Sequence, residues 1–117
     1  MKAELLTWAI LLHLIVDWLF QNTWIAVNKT NLRNPAGWVH AGLHTLAMLF
    51  VFHWPIALFI GVCHLFIDTR IPLQWWAKII DIPKGGEIAL HIAIWRDQVL
   101  HFAIIGLAVL LSQYIFK

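Results

Sequence analysis

Residues 4 to 27 read ELLTWAILLHLIVDWLFQNTWIAV, a nearly unbroken apolar stretch carrying one histidine and one aspartate, His13 and Asp17, four residues apart. A run of this length suits a helix crossing a hydrocarbon layer of ~30 Å, for which ~20 residues are needed. Two ionisable groups inside it are costly in lipid, and their spacing puts them on one helix face about one turn apart. Lys2 before the apolar run imitates a signal peptide. However, His13 and Asp17 would interrupt its apolar region and no small-residue cleavage site follows, so the stretch reads as a retained first span.

The rest of the chain reads the same way. The polar turn from Asn28 to Pro35 ends the first span, and a second is expected over 36–53, closing at Trp54-Pro55. A third is expected over 55–70, with Pro55 in its first turn, and a fourth over 88–116. Residues 72–86, between Pro72 and Gly85-Gly86 and holding Trp75, Trp76, Lys78 and Lys84, are too short and too charged to cross and read as an interfacial segment. The expectation is an all-α integral membrane four-helix bundle forming one domain over 1–117, its second and third spans on the short side.

Composition supports this. Of 117 residues, 62% are hydrophobic and 12% charged, and the mean hydropathy is +0.78, far above a soluble domain of this size. The net charge of +2 comes without any basic run interleaved with aromatics, which sets nucleic acid aside as a partner and leaves membrane lipids, a larger membrane complex or a homo-oligomer. The lone Cys63 reads as a small core residue, and Trp38, Trp54, Trp75 and Trp76 fall at expected interfaces. Lys29, Arg33, Arg70, Lys78, Lys84 and Arg96 lie on one side against Lys2 and Lys117 on the other. The positive-inside tendency then places both termini outside the cytoplasm.

Three further pairs repeat the spacing of the first: His40/His44, His64/Asp68 and Asp97/His101. Random placement of the His and Asp residues would give about one such pair at a chosen spacing. Every expected span has one, and the alternating directions of the helices put all eight residues in the half nearer the basic turns. Three aspartates at that depth would cost on the order of 8–10 kcal/mol on insertion scales, so something must offset them. A divalent cation held by carboxylates and neutral imidazoles does so. For one histidine, hydrogen bonding between helices is the more economical reading; for eight residues at one level, metal is. Five histidines and three aspartates are more ligands than one ion needs, so of one or two divalent transition-metal ions a dinuclear site bridged by carboxylate uses the set more fully, and the N and O donor set without thiolate suits zinc, iron or manganese.

Gln21, one turn beyond Asp17, and Gln98, beside Asp97, are placed either to orient ligands or to be solvated near the interface. Arg70 and Arg96 flank the cluster on the basic side, where they suit a lipid headgroup or an anionic substrate, or simply snorkel. His53 and His91 have no partner four residues away and read as interfacial.

The blocks HLIVDWLFQ at 13–21, HAGLH at 40–44, HLFID at 64–68 and DQVLH at 97–101 resemble a family of small bacterial and phage membrane proteins catalogued as domain of unknown function 3307. The resemblance spans nearly the whole chain apart from about 71–95. It implies a bacterial inner-membrane protein and a shared importance of His13, Asp17, His40, His44, His64, Asp68, Asp97 and His101, but no reaction. A looser similarity is to membrane-bound metal-dependent hydrolases, by analogy only.

The function expected is a membrane-embedded metal-dependent hydrolase, acting through metal-activated water on a lipid-linked ester or phosphoester near the cytoplasmic leaflet. One alternative is a metal-ion or proton transporter component; the nearly apolar stretch from Ala103 to Leu111 argues against a continuous polar path. The other is a haem- or chlorophyll-binding or structural subunit of a larger complex, for which acid partners four residues away are unnecessary.

Overall fold

The computed structural model describes residues 2–116, with nothing of the Lys2 side chain; Lys117 and that side chain, both counted in the charge asymmetry, lie outside it. The protein is all-α. Its described residues form α1 (Lys2–Leu19), α2 (Thr23–Asn28), α3 (Pro35–Met48), α4 (Trp54–Asp68), α5 (Ile71–Ile79) and α6 (Gly86–Ile115).

The breaks between helices follow from local side-chain chemistry. The stretch expected as one span over 4–27 is two helices, because Asn22 caps a new one: its side chain accepts the Ile25 N–H at 2.9 Å. An Asn that satisfies a free backbone donor in this way competes with continuation of the previous helix, and apolar content alone does not reveal it. Asn34 does the same for α3, accepting from Ala36 N, with Pro35 in the first turn. α3 stops at Met48, short of residue 53, and its end winds through turn bonds such as Phe52 N–H to Met48 O. The chain leaves the helical region at His53, with ψ 150°, and α4 starts at Trp54 with Pro55 in its first turn. The segment expected to be interfacial contains α5, bent by 60° from α4 at Arg70, whose backbone is left-handed with φ 62°.

Four helices, α1, α3, α4 and α6, pack around the interior. Glycine matters at one crossing: a Cβ on Gly61 of α4 would lie 1.8 Å from Thr45 Oγ1 and 3.2 Å from Ala41 O of α3, so only glycine allows this approach. The core is layered. Its apolar layer takes Ala9 from early α1, Met48 from late α3, Ile56, Ala57 and Ile60 from early α4, and Ile105, Ala108 and Val109 from late α6. The remaining part of each helix supplies a polar layer: His13, Asp17, His40, His44, His64, Asp68, Gln98 and His101 are all buried. Consecutive members of the four are therefore antiparallel.

Among the described residues one helix, α6, is long and apolar enough to cross a membrane, and α4 with α5 would qualify as a single bent span. α3 and α4, with 14 and 15 residues, are about 21 and 22 Å long at 1.5 Å per residue. α1 has length and hydropathy, but Lys2, Glu4 and Asp17 fall within its 18 residues.

Candidate metal centre

Each of the four packed helices delivers its pair to one place, because i, i+4 residues share a face and that face is the one turned inward. Asp17 is the hub. Its Oδ1 accepts from His44 Nε2 at 2.9 Å and from His40 Nε2 at 3.1 Å, and its Oδ2 accepts from Gln98 Nε2 at 3.0 Å, with His13 Nε2 3.2 Å away. Asp68 is a second hub: His64 Nε2 lies 3.0 Å from its Oδ2, His40 Nε2 3.6 Å from the same atom, and His101 Nε2 3.5 Å from its Oδ1. The rings crowd together, with His44 and His64 stacked at 3.6 Å between centroids and His64 4.2 Å from His101.

This packing leaves polar atoms without partners. The Nδ1 atoms of His40, His44 and His64 are buried with no hydrogen bond, and His64 Nε2, His101 Nε2 and Asp68 Oδ1, though 3.0, 3.5 and 3.5 Å from their nearest oppositely charged neighbours, meet none of them in hydrogen-bond geometry. Buried polar atoms left bare cost about 1–3 kcal/mol each, so such a concentration calls for a missing partner. Ligand atoms of His13, Asp17, His44 and His64 all lie within 4.8 Å of one another, as do those of His40, His64 and Asp68 and those of Asp68, Asp97 and His101. These buried clusters could hold a metal ion. The donor set fits: neutral imidazole and carboxylate converge within each group, and a cation would take up ring nitrogens that lack a hydrogen bond.

The remaining candidates divide. Asp97 sits at the edge of the cluster, its side chain 23% exposed, with His101 Nδ1 3.6 Å from its carboxylate and 2.7 Å from its backbone oxygen. Gln98 lies inside: besides donating to Asp17, its Oε1 accepts from His13 Nε2 at 3.1 Å, which ties α6 to α1. Gln21 falls in the break after α1, not on a continued helix face, and its Oε1 is buried without a partner. His53 stacks on Phe116 far along the chain, and His91 lines an apolar cleft outside the cluster.

The cluster opens on a cavity of about 430 Å³ whose wall includes the carboxylates of Asp17, Asp68 and Asp97 together with the cationic Lys29, Arg70 and Arg96. Lys29 was not among the sequence candidates. Its Nζ lies 3.6 Å from Asp68 Oδ1, brought there by α2 folding back against α3. In the sequence it counted only as a basic turn residue, since the fold-back depends on the unforeseen break at 20–22. Arg96 Nε donates to Ile92 O at 3.4 Å, and one terminal guanidinium nitrogen is buried with no partner.

No family model matches the chain, and neither a curated protein nor a solved structure does.

Proposed function

We propose that this protein is a membrane-embedded, metal-dependent hydrolase of an anionic ester or phosphoester substrate, built as a four-helix membrane bundle of the kind its four polar blocks resemble. The membrane reading rests on an inverted distribution of side chains. The polar residues are inside, while Trp8, Leu11, Leu46, Phe50, Leu58, Val62, Phe66, Leu107 and Leu110 face outward. A water-soluble bundle of this size does not expose so much apolar surface beside so polar an interior. The short α3 and α4 fit a bilayer that thins locally around the polar layer.

The observation that carries the enzymatic reading is the shared cavity: three carboxylates of the His/Asp cluster and three cationic side chains face the same space. His13, Asp17, His44 and His64 would hold one divalent ion, with zinc, iron or manganese suited to the donors. Such an ion supplies Lewis acidity and an acidified water. Lys29, Arg70 and Arg96 bind and orient the anionic group. Gln98 fixes Asp17 and His13 in place, and Asp97, the carboxylate most open to the cavity, takes up the proton released there. A second ion at Asp68, Asp97 and His101 competes with the Lys29 ammonium, which already serves as the counter-charge of Asp68.

Transport fits less well, because Ala9, Met48, Ile105 and Ala108 close the interior on the far side of the cluster. A porphyrin fits less well too, since the histidine rings are packed against one another. The test is turnover of p-nitrophenyl phosphate and of phosphatidic acid by protein in nanodiscs, with zinc, manganese or iron(II) restored after chelation. Metal-dependent release of p-nitrophenol or phosphate, lost in Asp17→Asn, supports the reading. Metal-loaded protein inactive on esters and phosphoesters alike would overturn it.

A further inference from the structure

α5 stands apart from the bundle. None of its residues is buried, it bends 60° from α4, and between it and α6 runs a cleft of about 680 Å³. Trp75 and Trp76 of α5 and Trp95, Val99, Leu100 and Ala103 of α6 line it, so its wall is almost wholly apolar. The volume is that of a ligand pocket of ordinary size. Two residues, Leu73 and Arg96, line both this cleft and the charged cavity, so the two spaces adjoin. Arg96 stands at their boundary with a buried guanidinium nitrogen that no group in the protein satisfies.

We propose that the cleft holds the hydrocarbon chain of an amphiphile whose phosphate-type head occupies the cavity, making the substrate a lipid phosphate that enters sideways between α5 and α6. The choice of occupant rests on charge complementarity and continuity. Lys29, Arg70 and Arg96 meet an anionic head, and beyond Arg96 α6 lines the cleft with Val99, Leu100 and Ala103 over about two helical turns. A soluble phosphoester would use the cavity and have no use for the cleft. A neutral lipid would use the cleft and leave the buried guanidinium nitrogen of Arg96 without a partner. In a bilayer the chain gains nothing from leaving water, so selectivity comes from the head, and the cleft gives the chain a path that keeps the head at the metal cluster.

This inference rests on the reading of the cavity as an anion site, and the experiment separates the two. Protein in phosphatidylcholine nanodiscs is titrated with chain-brominated phosphatidic acid or with chain-brominated phosphatidylcholine, and tryptophan fluorescence is followed. With Trp8, Trp18, Trp24, Trp38 and Trp54 replaced by Phe, the remaining Trp75, Trp76 and Trp95 report bromine in the cleft. The phosphate-headed lipid is expected to reach half-quenching at a mole fraction at least about fivefold lower, the gain that one basic contact gives at a membrane surface. Ala103→Phe, at an exposed cleft position, is expected to remove that difference without lowering the melting temperature. Equal quenching by the two lipids, or a difference that survives Ala103→Phe, would overturn the inference. Preferential quenching without turnover of any phosphoester leaves the lipid site standing and removes the hydrolase. Turnover of p-nitrophenyl phosphate without preferential quenching does the reverse.

Discussion

Gln98 of α6 donates through Nε2 to Asp17 Oδ2 of α1 at 3.0 Å while its Oε1 accepts from His13 Nε2 at 3.1 Å. One buried amide thus fixes both members of the first polar pair and joins the two helices most distant in sequence. Gln98→Leu keeps the volume but leaves His13 and Asp17 short of a partner. The expected cost is about 1–3 kcal/mol of stability, read as a lower midpoint of thermal unfolding in detergent. An unchanged midpoint would show that the bridge contributes nothing.

The contact between Lys29 and Asp68 sets the metal stoichiometry. With an ammonium 3.6 Å from Asp68 Oδ1, the group of Asp68, Asp97 and His101 already has a cation, so the wild-type protein should bind one equivalent of metal tightly. Lys29→Ala is expected to raise the bound metal towards two equivalents. Equilibrium dialysis with zinc followed by elemental analysis measures this; a variant that still binds one equivalent, or fewer, would contradict it.

Gly61 is the steric key of the α3/α4 contact. Gly61→Ala puts a methyl into Thr45 Oγ1 and should destabilise by about 1–3 kcal/mol, the usual range for overpacking. Adding Thr45→Ala is expected to recover part of the loss, which a double-mutant cycle on thermal midpoints would resolve.

Much of the centre was legible in the sequence, because four His/Asp pairs at helical spacing can reach one point only if the helices alternate in direction with the pairs at one depth. The helix boundaries were less legible. At Asn22 a side chain captures a backbone donor and breaks a stretch whose apolar content runs on unchanged, so one expected span became α1 and α2. That break turns Lys29 inward to Asp68, and no pattern around Lys29 announces it. Gln98 was expected to orient a ligand and is hydrogen-bonded to both His13 and Asp17, whereas Gln21 was read as lying on a helical face that ends at Leu19. The left-handed turn at Arg70 that swings α5 away from α4 had no signal beyond Pro72.

Metal should also be visible in stability. The unsatisfied ring nitrogens of His64, a member of the four-residue group, favour a state in which a cation takes one of them up, so restoring metal at a hundred times its dissociation constant should add about 2.7 kcal/mol to the folded state. Chelation should lower the thermal midpoint reversibly. No shift on chelation and metal return would mean that the cluster is held by its own hydrogen bonds.

The most direct measurement is elemental analysis by mass spectrometry of protein purified in mild detergent, comparing wild type with His44→Ala and Asp17→Asn. Both residues belong to the four-membered group His13, Asp17, His44 and His64. About one equivalent of zinc, iron or manganese in the wild type and a loss in both variants, with the fold retained by circular dichroism, is the predicted result. Folded wild-type protein free of metal, and unable to take any up on dialysis, would contradict a metal centre and leave the histidines and aspartates as a hydrogen-bonded core.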